Sequence, residues 1–373
     1  MVTPNKTPNF KPFMPPESID NAVKTLKSSW IGGDGPRVAE FEKKISKIVD
    51  NQNVLAVNSG TSALQLALKI VGVEGGEVIS TPMTCFATNA AIATQGAEIV
   101  WADVDPESGN IDPSDIEKKI SKKVKAIMIV HWGGNPCELD KILAIGKAYR
   151  IPIIEDAAQA LGSEYDGKPI GSHSDFVCFS TQSVKIINTI DGGILITKKK
   201  NHYKRAKLLR WYGIDRQKRK WGKTFWYYPI KEAGFKLQMT DVSASIGLGQ
   251  LPHLERLVTN RRKLAKIYQD SIKKSKTLKN QKILPRAKPN FWMFTVLCGN
   301  PKNRLRLCKA LEKIALAAEE GHKRNDLYPA FKKYKGEKLP GVTKFNNEEL
   351  IIPNGYWVTE DKAEEIANIL ASF

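Results

Sequence analysis

Histidine and cysteine are scarce in this chain of 373 residues, with five of each. The cysteines, at 85, 137, 178, 298 and 308, are odd in number and form no CxxC pair. That argues against structural zinc and against a disulfide framework, so no metal site is expected and a reducing cytoplasm is the expected setting. No apolar run approaches membrane-spanning length, and the opening MVTPNKTPNFKPF lacks the apolar core of a secretion signal. The GxxxxGK[ST] phosphate loop is missing, and so are the three glycines of a dinucleotide fingerprint. Acidic residues are outnumbered, 39 against 58 basic ones, leaving a net charge of +19. The basic clusters KKISKK (118–123), KKK (198–200) and RQKRKWGK (216–223) come without any nucleic-acid-binding motif. The excess charge therefore reads as a lysine-rich solvated surface with a bias toward small anions; neither nucleic acid nor membrane is the expected partner.

What is present is the material of a large buried core. Hydrophobic residues make up 42% and charged residues 26%, ordinary values for a globular chain long enough for two or three domains. Short apolar strands, VLAV (54–57), EVIS (77–80), EIVWADV (98–104), KAIMIV (125–130) and IPII (151–154), alternate with helical segments such as LDKILAIGKAY (139–149). Nearly continuous apolar strands in repeated βα units predict a mainly parallel sheet covered on both faces. Helices are also expected at SIDNAVKTLKSS (18–29), capped by Ser18, and over DVSASIGLGQLPHLERL (241–257). A domain change is placed near residue 250. It divides a large α/β domain (1–250) from a smaller α+β domain (251–373) that holds the strand FWMFTVLC (291–298) and a last helix from Thr359.

Three segments carry chemistry. The stretch 171–197, GSHSDFVCFSTQSVKIINTIDGGILIT, reads as a strand, a polar loop with one lysine, Lys185, and a glycine pair opening another strand. A lysine held between strand ends, near Ser180, suits attack on an aldehyde once burial lowers its pKa; a solvated surface charge is the plain alternative. In IPIIEDAAQALG an apolar strand runs into Glu155 and Asp156 at its carboxyl end, the edge of a parallel sheet where ligands sit. A carboxylate there can keep a pyridine nitrogen protonated; otherwise it caps a helix. Lys185 lies 29 residues beyond Asp156 (185 − 156), room for one further strand, so two neighbouring strand ends could face one ligand. Finally, Asn58-Ser59-Gly60-Thr61-Ser62 joins a strand to a helix, and its free N–H groups and helix dipole favour an anion; a hydroxyl cap with no ligand is the plain alternative. His131, at another strand end, is expected to be a satisfied structural histidine.

With these segments placed, the chain resembles the DegT/StrS nucleotide-sugar aminotransferases, pyridoxal phosphate (PLP) enzymes of fold type I. The resemblance runs through WIGGDGP, AVNSGTSALQLAL, ADVDPESGNIDP, IVHWGGNPCELDKI, IEDAAQALGSEYDGKPIGSHSDFVCFS, Lys185 with its DGG turn, RWYGIDR, IGLGQL, HKRND and PNGYWVTEDKAEEI. It implies a large, mainly parallel, seven-stranded sheet domain and a smaller C-terminal domain. Lys185 would bond the cofactor aldehyde and shuttle a proton, Asp156 would pair with the ring nitrogen, and Gln159 would lie near the ring hydroxyl. Gly60, Thr61 and Ser180 would hold the phosphate. The residue over the ring is left open between Cys85, where relatives carry an aromatic side chain, and the neighbouring Phe86. Where relatives carry an asparagine that reaches the phosphate of a neighbouring subunit, this chain has Lys236, and a homodimer with shared active sites is implied. His322, Arg324, Asn325 and Asp326, with the loop of Trp30 and Gly33, would approach the substrate. The implied reaction moves an amino group from L-glutamate to a nucleotide-diphosphate keto sugar, most simply a 4-keto-6-deoxyhexose, as in perosamine-like amino-sugar and surface-glycan synthesis. A PLP-dependent sugar dehydratase, which replaces the lysine by histidine, is the near rival. A non-catalytic PLP-fold regulator or basic nucleic-acid binder is the distant one. Lys185 argues against the first, and Lys185, Asp156 and Gln159 together argue against the second.

Overall fold

The computed structural model describes every residue except 1–5, 34, 216, 217, 219, 222–225 and 335. Asp34 of the glycine-rich loop and most of the basic cluster 216–223 thus lie outside the described residues. The helices are α1 (Pro16–Lys27), α2 (Pro36–Ile48), α3 (Gly60–Val71), α4 (Phe86–Thr94), α5 (Pro113–Lys118), α6 (Leu139–Tyr149), α7 (Lys200–Leu209), α8 (Asp241–Gln250), α9 (Leu254–Ile272), α10 (Pro301–Glu312), α11 (Pro340–Glu348) and α12 (Glu360–Ser372). Among the described residues, no helix is long and apolar enough to cross a membrane.

Seven strands make the main sheet: β1 (Val54–Val57), β2 (Glu77–Ser80), β3 (Glu98–Trp101), β4 (Val124–Val130), β5 (Ile153–Asp156), β8 (Phe176–Ser180) and β9 (Gly193–Thr197). Their order is β1-β9-β8-β5-β4-β2-β3. Neighbours from β8 to β3 pair parallel, and β9 alone runs the other way, antiparallel to both β8 and β1. Burial of every residue in β1, β5, β8 and β9 is what helices on both faces require, and it matches the uninterrupted apolar runs. Between β5 and β8 lies the short hairpin β6 (Glu164–Tyr165) and β7 (Lys168–Pro169). A second hairpin, β10 (Lys220–Trp221) and β11 (Trp226–Tyr227), follows α7.

A second sheet, ordered β12-β14-β15, joins β12 (Lys279–Asn280), β14 (Phe294–Leu297) and β15 (Glu349–Ile352), while β13 (Ala287–Lys288) pairs with β6. Two apolar cores result. One fills the main sheet; the other gathers Tyr268, Phe294, Val296, Leu307, Leu350 and Ile366 around the second sheet. Helix α9 serves both, giving Leu257 and Val258 to the first core and Leu264 and Tyr268 to the second.

Two local readings change. Ser18 does not cap α1: the helix starts at Pro16, and the buried Ser18 hydroxyl donates to the Ile246 carbonyl at 2.8 Å. Proline is tolerated at a first turn because it lacks only an N–H that would be unpaired there, so it starts the helix two residues early. The expected 241–257 helix is broken by a 3₁₀ turn, Leu251–His253, at Pro252.

The turn after β4 fixes how the second sheet meets the first. Gly134 there has φ +89°, and an added Cβ would run into Asn290 Oδ1 and lie 2.6 Å from the Gln159 carbonyl oxygen. Gly134→Ala combines left-handed strain with a backbone clash and should cost about 2–5 kcal/mol. Urea denaturation of the cofactor-free protein measures this loss directly.

Candidate active site

Asp156 and Lys185 converge at the carboxyl edge of the main sheet because β5 and β8 are parallel neighbours. Asp156 ends β5, where its carboxylate accepts from the Thr88 hydroxyl at 2.6 Å and from the Ala158 N–H at 3.1 Å. Burial raises its pKa against those two hydrogen bonds and the charge of Lys185. A cation beside the carboxylate would offset this cost of burying a charge.

Lys185 follows β8 in a tight turn, its N–H donating to the Gln182 carbonyl at 2.9 Å. Its Nζ sits 3.7 Å from the centre of the Trp292 indole. Burial lowers its pKa to about 8, outweighing the opposing influence of Cys85 and Asp156. An amine in this range is partly unprotonated near neutral pH and can act as nucleophile or base.

The turn from β1 into α3 has the strand–turn–helix form expected of it. Ser59 caps α3 by accepting from the Ser62 N–H at 3.0 Å, which leaves Gly60 and Thr61 at the open end of the helix. A Cβ on Gly60 would lie 2.8 Å from the Ser180 Cβ, so only glycine lets the helix end approach the end of β8 this closely. Backbone N–H groups, the Ser180 hydroxyl, a buried carboxylate and a buried amine are the donor set that PLP requires, and the residues present fit that cofactor.

Gln159 and His322 extend the site. The Gln159 Oε1 accepts from the Gly133 N–H at 2.6 Å, which makes its amide nitrogen the donor toward His322 Nε2, 3.2 Å away. His322 Nε2 is therefore unprotonated. Its pKa is pushed down to about 4 by burial and by the charge of Lys185. Cys85, just ahead of α4, lies in electrostatic reach of Lys185, whereas the Phe86 ring packs on Tyr328 and Phe331 at 5.2 and 4.9 Å.

Other candidates lie elsewhere. Arg324 holds Asp326 with two hydrogen bonds, at 2.8 and 2.6 Å, and the Thr343 hydroxyl at 2.9 Å. Asn325 is a buried pin, donating to the Thr84 carbonyl and accepting from the Asn89 amide, each at 2.9 Å. Trp30 is exposed. Gly33 packs against Gln238 and lines a cavity with Arg210, Trp211 and Lys218, apart from Lys185. Lys236 is exposed, its Nζ 5.3 Å from the Trp211 ring. His131 is buried, bonded to Glu155 at 2.7 Å and accepting from the Cys137 N–H, as a structural histidine should be. Among the described residues, no group of His, Cys, Asp and Glu could hold a metal ion. The sequence reading missed Thr88 and Trp292. The spacing of Thr84 and Thr88, one turn apart after a strand end, signalled the first; nothing local signalled the second.

Comparison with known proteins gives the family. The model of the DegT/DnrJ/EryC1/StrS aminotransferase family matches residues 13–371. A protein of Methanocaldococcus jannaschii, MJ1066, is 34% identical over 99% of this chain and 97% of its own. The UDP-4-amino-4,6-dideoxy-N-acetyl-beta-L-altrosamine transaminase of Campylobacter jejuni is 32% identical (90% and 89% covered), and the GDP-perosamine synthase of Escherichia coli O157:H7 is 33% identical (80% of each). Among solved structures, the sugar aminotransferase CalS13 of Micromonospora echinospora superposes with a TM-score of 0.92 at 30% identity, covering 100% of this chain and 99% of that one. Spr1654 of Streptococcus pneumoniae, solved in a PLP-form, gives 0.88 at 26% identity with 98% of both chains covered. The chain belongs to the DegT/DnrJ/EryC1/StrS aminotransferase family. It is a sugar aminotransferase with the mostly parallel α/β architecture of fold type I.

The neutral His322 has a consequence for stability. Its folded pKa, about 4, lies below the ordinary 6.5, so the unfolded chain binds the extra proton between these values. Stability from this group is complete above pH 6.5 and is lost as pH falls toward 4, about 3 kcal/mol in all. Denaturation of the cofactor-free protein at pH 4.5 and 7 should show the difference, and His322→Asn should flatten it.

Proposed function

We propose that the chain uses PLP to transfer an amino group from L-glutamate to a nucleotide-linked keto sugar, most simply a 4-keto-6-deoxyhexose. The observation that carries this reading is the burial of an amine and a carboxylate, Lys185 and Asp156, at one strand edge beside an anion cradle. PLP supplies an aldehyde that takes up amines and a ring that draws electrons from the substrate carbon.

The protein supplies the rest. Asp156 holds a proton on the ring nitrogen, and Thr88 keeps the carboxylate aimed. The N–H groups at Gly60 and Thr61, with the Ser180 hydroxyl, bind the phosphate. Gln159 reaches the ring hydroxyl, and Cys85 rather than Phe86 covers the ring. Lys185 moves a proton between the donor carbon and the cofactor, a task its lowered pKa suits. His322 faces the substrate as a neutral ring. A second copy of the chain completes the site, bringing Lys236 to the phosphate as a point charge. Trp30 and Gly33 also reach the substrate across that interface, in a homodimer of the cytoplasm. Arg324 and Asp326 act together, orienting the His322 loop.

Relatives carry the sugar half of the reading: one is named for GDP-perosamine and another for a UDP-linked amino sugar. The test is spectroscopic. Protein with PLP should turn yellow, and L-glutamate should convert the band to a shorter-wavelength form. Lys185→Ala should bind PLP without the yellow band and lose glutamate conversion by about 10³-fold or more. A band indifferent to glutamate would overturn the choice of donor.

A further inference from the structure

Trp292 is buried, and nothing in the chemistry above uses it, yet the Lys185 amine lies over its indole ring. Its indole N–H donates to the Val184 carbonyl at 3.0 Å, tying the ring to the residue before the lysine. Its backbone N–H donates to Asn290 Oδ1 at 2.9 Å, and Asn290 in turn donates to the Gln159 and Leu161 carbonyls, each at 2.9 Å. The indole is thereby fixed to both sides of the site.

Phe10 stacks on the same indole, with centroids 4.7 Å apart and planes at 21°. A face carrying Nζ at 3.7 Å has no room for a ring at 4.7 Å, so lysine and phenylalanine take opposite faces. Phe10 belongs to an N-terminal strap. Thr7 exchanges backbone hydrogen bonds with Ala315 and Ala317, Trp357 donates to the Pro8 carbonyl at 2.8 Å, and Asn188 donates to the Phe13 carbonyl at 2.9 Å. The strap thus spans the second core and the lysine loop, and its middle residue backs the ring under Lys185.

A transaminase lysine must leave the cofactor once per half-reaction and return. While free it needs a place that is dry, close and able to hold an amine in either charge state. An indole face attracts an ammonium without bonding to it. We propose that Trp292, backed by Phe10, is a positioning residue: the resting platform that holds the Lys185 amine within the site between half-reactions. Its part in turnover rests on the transaminase reading; its hold on the amine does not. The other groups facing Lys185 are Asp156 at the end of β5, Cys85 ahead of α4 and His322 in the segment between α10 and α11.

The test drains the ring face without changing its shape. Full-length, cofactor-free protein is produced with tryptophan, 5-fluorotryptophan or 5,7-difluorotryptophan, and the pH midpoint of Lys185 labelling by an amine-reactive reagent is read by peptide mass spectrometry. Weakening a cation–π contact disfavours the charged amine, so the midpoint should fall stepwise, by roughly 0.3–1 pH unit in total. In Trp292→Phe the dependence on fluorination should vanish, which removes the contribution of the other tryptophans. Phe10→Ala should raise the midpoint toward that of an exposed lysine, as water reaches the unbacked ring. A midpoint unmoved by fluorination, or a fall that persists in Trp292→Phe, overturns the platform. Loss of the glutamate response with the fluorine dependence intact would instead overturn the choice of donor and leave the platform standing.

Discussion

The structure depends on keeping one carboxylate dry. Asp156 sits at the end of a strand with parallel neighbours on both sides, and its two hydrogen bonds do not restore what water would give a charge. Parallel pairing puts the ends of β4, β5 and β8 on one edge, so whatever compensates Asp156 must come from the loops that leave that edge. Lys185 comes from the loop after β8, and Thr88 from the helix that follows β2. The cradle at Gly60 stands beside the same edge because β9 carries the chain back antiparallel and seats β1 next to it. Sheet order is in this sense the cause of the site.

Around that charge the site is finished with neutral groups. The orientation of Gln159 is set by the Gly133 N–H, and this makes His322 an acceptor. A protonated His322 would place a second cation near Lys185 in a dry cavity, where repulsion is poorly screened. Keeping His322 neutral leaves Lys185, with His131, to answer the charge of Asp156. Arg324 illustrates the same economy. Its guanidinium is occupied by Asp326 and Thr343, so a permanent charge stays in the loop without facing the lysine.

The strand edges, the alternation and the parallel sheet were legible because apolar runs at β-strand length declare themselves locally. VLAV and EVIS appear as β1 and β2 with unchanged limits. The placement of Lys185, Asp156 and Gly60 was legible because each stands at or just beyond the end of a strand. Arg324 and Asn325 read as substrate contacts because a polar HKRND run resembles a binding loop, and nothing in that run announces the hydrogen bonds that hold them. Their partners lie 19 and 241 residues away, and that pairing is invisible in one dimension. Trp292 was hidden for the same reason: it reads as one more apolar residue of a strand, and only the fold lays it under Lys185.

Distance along the chain also explains why the N-terminal strap matters to the lysine. A loop as short as 182–188 cannot bury its own lysine, because it has too little apolar surface to exclude water from both sides of an amine. The surface must be brought in. Trp292 arrives from the segment that leads into β14, the central strand of the second sheet, and Phe10 from the far N-terminus; each is held by hydrogen bonds that do not involve the lysine. The lowered pKa of Lys185 is therefore a property of tertiary packing rather than of its loop. Any change that loosens the strap from Ala315 or Trp357 should reach the reactive amine through the stacked rings, although those contacts belong to the other core.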